Sequence, residues 1–326
     1  MRSLLLPLAG AVLLSLAPIA RALPSGERVW LQSYLDFPIE NLRFTAGAMG
    51  YLGPVKEVVA RFDIGDARGA AASSRETVVR FYPDGRAAEE TDRDLLAKTT
   101  VFHAVYSYNT RNQIAEIRRS DYVAGTVETI GFQYDAQGFL VGATMERNGR
   151  AEQSVAIANT SAGKPLLVTT RLADGREVSR IAYTYTEHGV RIAYTAAGGA
   201  ERVVSAFTLD ADGRPVAATT ERRDTASVVD YDGVYRYTYR ADGDTLFHGV
   251  EDHPHALPQP TRCVIDREFF KNGALRHAES VGDDITCDRP GPDPEIAFDA
   301  EGNVTRSRLG AYEHAYAITY YTTPSM

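Results

Sequence analysis

Aspartates grouped around a glycine are the first residues in this chain whose types and spacing could do chemistry. LDADGRPV, residues 209–216, sets Asp210 and Asp212 ahead of Gly213. A calcium loop of the EF-hand kind needs acidic or amide side chains at its first, third and fifth positions, glycine at the sixth and a bidentate glutamate at the twelfth. Aligned on Gly213, the first position is Thr208 and the twelfth is Thr219; aligned on Gly302, they are Ala297 and Arg308. Both loops lack essential oxygens, so the motif reads as a turn.

The densest polar cluster is FHGVEDHPHALPQP, which holds His248, Glu251, Asp252, His253 and His255. Imidazoles and carboxylates this close are candidate ligands for zinc or copper. The His-Pro-His spacing does not place two imidazoles on one helical face, and a proline-rich loop of this kind is ordinarily solvated. Tyr235, Tyr237 and Tyr239 recur at every second residue, a spacing that would line up an aromatic face for a glycan or peptide or pack across neighbouring strands.

Nucleophilic catalysis finds no support: the chain has no Gly-x-Ser-x-Gly elbow and no Ser-x-x-Lys set with its partners. His103, His188, His277 and His314 lie in or beside expected strands, as structural histidines do. A carboxylate pair for glycoside hydrolysis is open on numbers alone, yet most of the aspartates sit where short side chains bond turn backbone. No catalytic residue, cofactor or enzyme activity is expected.

The elements that must position these residues are visible in a repeat. An apolar or aromatic residue stands four places before a glycine in FYPDG (81–85), YDAQG (134–138), YTEHG (185–189), LDADG (209–213), YRADG (239–243), FFKNG (269–273) and FDAEG (298–302). YNTRN (108–112) and RLADG (171–175) are degenerate copies. Between turns the sequence alternates with period two: Ile181, Tyr183 and Tyr185 face one way, answered after the turn by Val190, Ile192 and Tyr194, and Tyr316, Ile318 and Tyr320 share a face near the end. Aromatic and β-branched residues at period two make half-buried antiparallel strands, and Asp-Gly or Asn-Gly supplies the positive φ of hairpin turns. The expected fold is all-β, one large antiparallel β-meander of roughly 16 to 20 strands over residues 23–326. Whether it is open, curved or spiral is not set by these patterns. A short helix is expected over 27–37 and a weaker one over 86–98, with loops at 63–75, 159–165, 251–260 and 288–295.

The N-terminus bounds where the protein works. Residues 1–22 place Arg2 before a leucine-rich apolar run and Ala20-Arg21-Ala22 behind it, the pattern of a secretory signal peptide cut after Ala22. The rest has no stretch of 18 apolar residues, so a periplasmic or secreted protein that is not integral to a membrane is expected. Without Arg2 and Arg21 the chain carries 33 basic against 43 acidic side chains, net −10. That balance and the lack of a basic stripe disfavour nucleic acid, leaving an envelope protein, a glycan or a lipid as partner. In an oxidising compartment the two cysteines, Cys263 and Cys287, are expected to form a disulfide.

YRYTYRADGDTL and FQYDAQGFLVGATMERNG resemble YD repeats, the tyrosine-aspartate hairpins of Rhs and teneurin proteins, which wind into β-spirals or shells. With GPVKEVVARFD (53–63), the cysteine pair around a hairpin and the ending YAITYY, the chain resembles the YnfC-like family of uncharacterised enterobacterial envelope lipoproteins over residues 37–321. It departs from that family in having no lipid-bearing cysteine, and the resemblance implies no activity. The sequence therefore points to a non-enzymatic binding or structural module using a sheet face or edge, with a carrier of an apolar ligand and a glycan hydrolase as the alternatives.

Overall fold

The computed structural model describes residues 46, 51–65, 71–196, 201–211, 214–223, 231–241, 243–253, 261–269, 275–281, 295–309 and 312–321. The signal-like segment and the helix expected over 27–37 lie outside them. The described residues form twenty antiparallel strands and no helix.

The strands follow the chain in order, each bonded to the next from β1 (Val55–Gly65) to β17 (Leu275–Val281) and again from β18 (Glu295–Phe298) to β20 (Tyr312–Tyr320). The last strand then pairs with the first, Ile318 opposite Val58 and Tyr316 opposite Ala60. The meander is thereby closed into a barrel-like ring, except between β17 and β18, which share no ladder among the described residues. Pairing β1 with β20 covers the edges that these two strands would otherwise expose.

One face of the sheet is buried and the other meets water. The pairing predicted across the turn at 186–189 holds, with Ile181 opposite Tyr194, Tyr183 opposite Ile192 and Tyr185 opposite Val190. These belong to a core running from β1 to β11 (Gly189–Ala196), whose members Ile114, Ile117, Ile130, Ile181 and Ile192 are at most 2% exposed. The interior of this half is filled by side chains. The outward face is polar: Arg61 (β1) and Arg93 (β3, Ala87–Asp94) both reach Glu76 on β2 (Ala71–Phe81) between them, at 3.0 and 3.6 Å. Next to them Arg80 bonds Glu57 and Glu89, and Glu89 receives His103 of β4 (Thr99–Tyr108) at 2.8 Å.

The repeated glycine turns gather at one end, here the lower end. In the loops 82–86, 135–139, 160–164, 240–244 and 299–303 the first residue donates its N–H to the fifth residue's carbonyl, while the fourth, a glycine, donates back to the first. This is a three-residue loop whose glycine must take positive φ, as Gly138 does at +92°. Asn112, at φ +60°, fills the same place in 109–113. The side chains of Asp135, Asp210 and Asp299 each accept the N–H four residues on. For Asp210 this answers the calcium question, since its carboxylate also holds the Arg214 guanidinium at 2.8 Å.

Several local expectations are corrected. Residues 86–98 form β3 and a turn, because cross-strand partners for Glu89 and Glu90 override the helix propensity of an Ala- and Glu-rich stretch. The loop expected at 63–75 is in part strand, with Asp63–Gly65 ending β1 and Ala71–Arg75 opening β2. The segment 159–165 is a regular lower turn in phase with the repeat, whereas RLADG turns at the opposite end, after β9 (Pro165–Leu172). At 185–189 the glycine serves another purpose: a Cβ on Gly189 would sit 2.2 Å from the Phe207 carbonyl oxygen.

Candidate functional site

Strand geometry divides the polar cluster around His248. On β15 (Thr245–His253) side chains alternate between faces, so His248 and Asp252 turn outward while Glu251 turns in. His248 Nδ1 lies 2.7 Å from Asp266 on β16 (Thr261–Phe269), and Asp252 lies 3.7 Å from Arg262. Glu251 accepts the Tyr235 hydroxyl at 2.8 Å. His255 lies outside the described residues, and among those described no three metal-ligating side chains come together.

Tyr235, Tyr237 and Tyr239 do share a face of β14 (Tyr231–Tyr239), but it is the inner, half-buried one, and Val234, Arg236 and Thr238 are the exposed set. Tyr235 stacks on Phe247 at 5.5 Å and Tyr237 meets the same ring edge-on at 5.3 Å. Tyr239 gives its hydroxyl to the Pro215 carbonyl. That bond recurs around the ring: Tyr108 donates to Ala87, Tyr134 to Ile114 and Tyr185 to Pro165, in each case to the first residue of the preceding strand. The residue after a turn glycine covers these rings, with Arg86 4.5 Å from Tyr108 and Arg214 4.6 Å from Tyr239. The repeated tyrosine is a strand tie. Cys263 is fully buried on the inner face of β16, and Cys287 lies outside the described residues.

A concentration of perturbed groups lies on the inner face where β3, β4 and β5 (Ile114–Asp121) meet. Glu90 stands opposite Ala104, and Ala104 opposite Arg119. Asp92 lies two residues along, on the same face as Glu90. Tyr106 donates its hydroxyl to Glu90 at 2.8 Å, and Thr77 donates to Asp92. Burial pushes both carboxyls above their usual range, more than these hydrogen bonds and the nearby Arg119 and Arg75 bring them down. The same burial raises the phenols of Tyr106, Tyr51 and Tyr316, the last to about 12. Tyr51, 7% exposed, comes from the segment before β1 and has Tyr316 and Glu90 as its electrostatic neighbours.

Arg119 is the unusual member. Its Nε is buried and makes no hydrogen bond. Glu128, directly across on β6 (Thr126–Tyr134), is held by Arg147 at 2.8 Å instead. Glu90 lies beyond ion-pair range on the other side of Ala104. None of these residues was singled out from the sequence. The alternation in AAEETDRD would have put Glu90 and Asp92 on one face, but the stretch reads equally well as helix.

No protein-family model matches the chain, and no curated protein matches it. Among solved structures it is similar to a porin-like protein from Bacteroides uniformis, at 12% identity and a TM-score of 0.39 over 82% of this chain and 98% of that one. A porin-like protein from Bacteroides vulgatus is similar at 10% identity and 0.31, over 82% and 99%. A TcdB2-TccC3-Cdc42 structure matches at 10% and 0.26, over 75% of this chain and 17% of that one. Likeness at this level defines neither a family nor a function.

Proposed function

We propose that the chain is an exported, non-enzymatic binding or structural module that works in the aqueous part of a cell envelope. The observation that carries this reading is the outward face. Ion pairs cross it from β1 to β4, Arg61 with Glu76 in mid-strand and Arg80 with Glu57 and Glu89 nearer the lower end, where a lipid-facing barrel carries an apolar band and where each charge at the centre of the lipid costs about 2 to 4 kcal/mol. The signal-like N-terminus and the net negative charge agree with export and with a partner other than nucleic acid. Against a hydrolase, Glu90 and Asp92 sit side by side on one strand rather than facing each other across a cleft.

Fractionating a bacterial host that expresses the full chain tests the reading. The expected product is a soluble envelope protein starting at Leu23, with no lipid in its organic extract and no release of reducing ends from envelope glycans. A lipid bound one to one would replace it with the carrier reading. Glycan cleavage that Glu90→Gln abolishes would replace it with the hydrolase reading.

A further inference from the structure

We propose that the outward face of β14 to β17 is a self-association surface, on which a second copy of this chain packs about a two-fold axis running along the strands between β15 and β16. The dimer is independent of the module reading.

Val234, Val250, Val264 and Val281 stand opposite one another from β14 to β17, a continuous row on the side that meets water. Val234 and Val281, at its two ends, are 54% and 62% exposed. Beyond β17 the sheet has no further ladder among the described residues, so the row runs out to the open edge. Apolar side chains held in water gain when another apolar surface covers them. The row is one residue tall, far short of the apolar band of about 25 Å that lipid requires, so its cover is a protein face.

The charges beside the row select that face. Two residues toward the lower end, Arg236, His248, Asp266 and Glu279 form a parallel row in the same strand order. Two residues toward the upper end, Asp252 stands opposite Arg262. A two-fold axis along the strands reverses the strand order of the facing copy and leaves upper and lower ends in register, so β14 lies over β17 and β15 over β16. Each valine then meets a valine. Arg236 meets Glu279 of the partner subunit, His248 meets Asp266 of the partner subunit, and Asp252 meets Arg262 of the partner subunit. Opposite charges fall together at all three places, which is the complementarity that fixes one partner and one register.

Little has to be rearranged for this. His248 with Asp266 and Asp252 with Arg262 are already paired within one chain, at 2.7 and 3.7 Å. Arg236 and Glu279, at the two ends of their row, make no ion pair among the described residues, and the second copy supplies one to each. Their long side chains also reach across the margins, where a curved face draws away from its neighbour. The surface is four strands wide and three rows tall, about 20 Å each way. That is the low end for a specific interface, so the affinity should be of micromolar order.

Sedimentation velocity of the mature protein from about 1 to 200 μM tests the proposal, with monomer expected at the lowest concentration and dimer at the highest. Arg236→Glu and Glu279→Arg each set like charges against one another and should raise the dissociation constant tenfold or more. Both changes in one chain restore opposite charges across the interface and should bring it back to within about threefold of the wild type. Val281→Lys, at a position exposed enough for the fold to tolerate it, should leave only monomer. Circular dichroism should be that of the wild type throughout. A protein still monomeric at the highest concentration, a dimer indifferent to Val281→Lys, or a double variant no tighter than the single ones would overturn the dimer and leave the module reading standing.

Discussion

Removing the hydroxyls of Tyr134, Tyr185 and Tyr239 is the sharpest perturbation of the tyrosine ties. Each hydroxyl donates to a carbonyl at the start of the preceding strand, at 2.8, 3.0 and 2.8 Å, from a half-buried position. Strands β5 and β6, like β9 and β10 (Glu177–Thr186) or β13 (Pro215–Arg222) and β14, are joined by chain only at the upper end. The tie therefore closes the end that would otherwise splay. A net protein hydrogen bond is worth about 1 kcal/mol, and a carbonyl left without its donor adds to the loss, so each Tyr→Phe change should cost about 1 to 1.5 kcal/mol. The three positions share no partner, so the effects should add to about 3 to 4 kcal/mol in the triple variant. Urea unfolding followed by tyrosine fluorescence and circular dichroism measures this, with Tyr122→Phe as control because Tyr122 is 58% exposed in an upper turn. A triple variant within 0.5 kcal/mol of the wild type, or single changes no larger than the control, would show that the tyrosines contribute ring packing alone.

Other perturbations follow from the same structure. Glu90 and Asp92 have folded-state pKa values raised by burial, so the stability they confer is fully present below their unfolded values near pH 4 and falls as pH rises through the raised values. Glu90→Gln and Asp92→Asn should each raise Tm at pH 7 with a gain that disappears by about pH 4, which scanning calorimetry across that range will read; a gain unchanged by pH would refute it. Gly85→Ala should cost about 1 to 2 kcal/mol through its φ of +83° alone, since nothing lies near its missing Cβ, while Gly163→Ala should cost more because its Cβ would meet the Phe139 ring at 2.2 Å. Equal losses in urea melts would discount the steric part. We propose that Cys263 and Cys287 are joined, so thiol titration of the unfolded, unreduced protein should find none, and Cys263→Ser with Cys287→Ser should lose about 3 kcal/mol; two free thiols would end that proposal.

What could be read in advance is what is local. A turn such as 135–139 writes its conformation into four or five residues, through Asp135 accepting a backbone N–H and Gly138 taking positive φ, so the lower end of the meander was legible copy by copy. Period-two faces such as Ile181, Tyr183 and Tyr185 were legible for the same reason. Residues 86–98 were not, because Ala, Glu and Asp have no strand preference of their own, and their conformation is decided by Arg80, His103 and Tyr106 on other strands. The inner cluster shared that fate. Arg119 enters it only through the register of β4 with β5, and nothing near Arg119 in sequence announces it. Tyr235, Tyr237 and Tyr239 were placed on one face correctly, yet alternation does not say whether that face is the wet one.

Closure poses a separate physical problem, because a repeat of hairpins carries no instruction to stop. Each unit buries its neighbour's flank, and another unit could be added at either end. The first and last strands solve this with a clasp built on the last of the repeated turns. Asn303, 1% exposed in the final lower turn, accepts the Leu52 N–H at 2.6 Å and donates to the Leu52 carbonyl at 3.0 Å, across 251 residues. It also donates to the Tyr320 hydroxyl, which in turn donates to Asp299. Burial alone would raise the Asp299 carboxyl, but the Tyr320 hydroxyl and the turn N–H groups hold it below its usual range. Tyr321 adds the familiar tie, giving its hydroxyl to the Phe81 carbonyl on β2. The pairing of β1 with β20 thus rests on a polar clasp at the lower end together with the buried row of Val58 and Ile318. Contacts this distant in sequence form late and cost the most loop entropy, so closing the ring is the step that a local repeat cannot supply. Closure is also what brings Tyr316 around to Tyr51, adding the last member to an inner polar cluster whose other residues are assembled by the local pairings of β2 to β5.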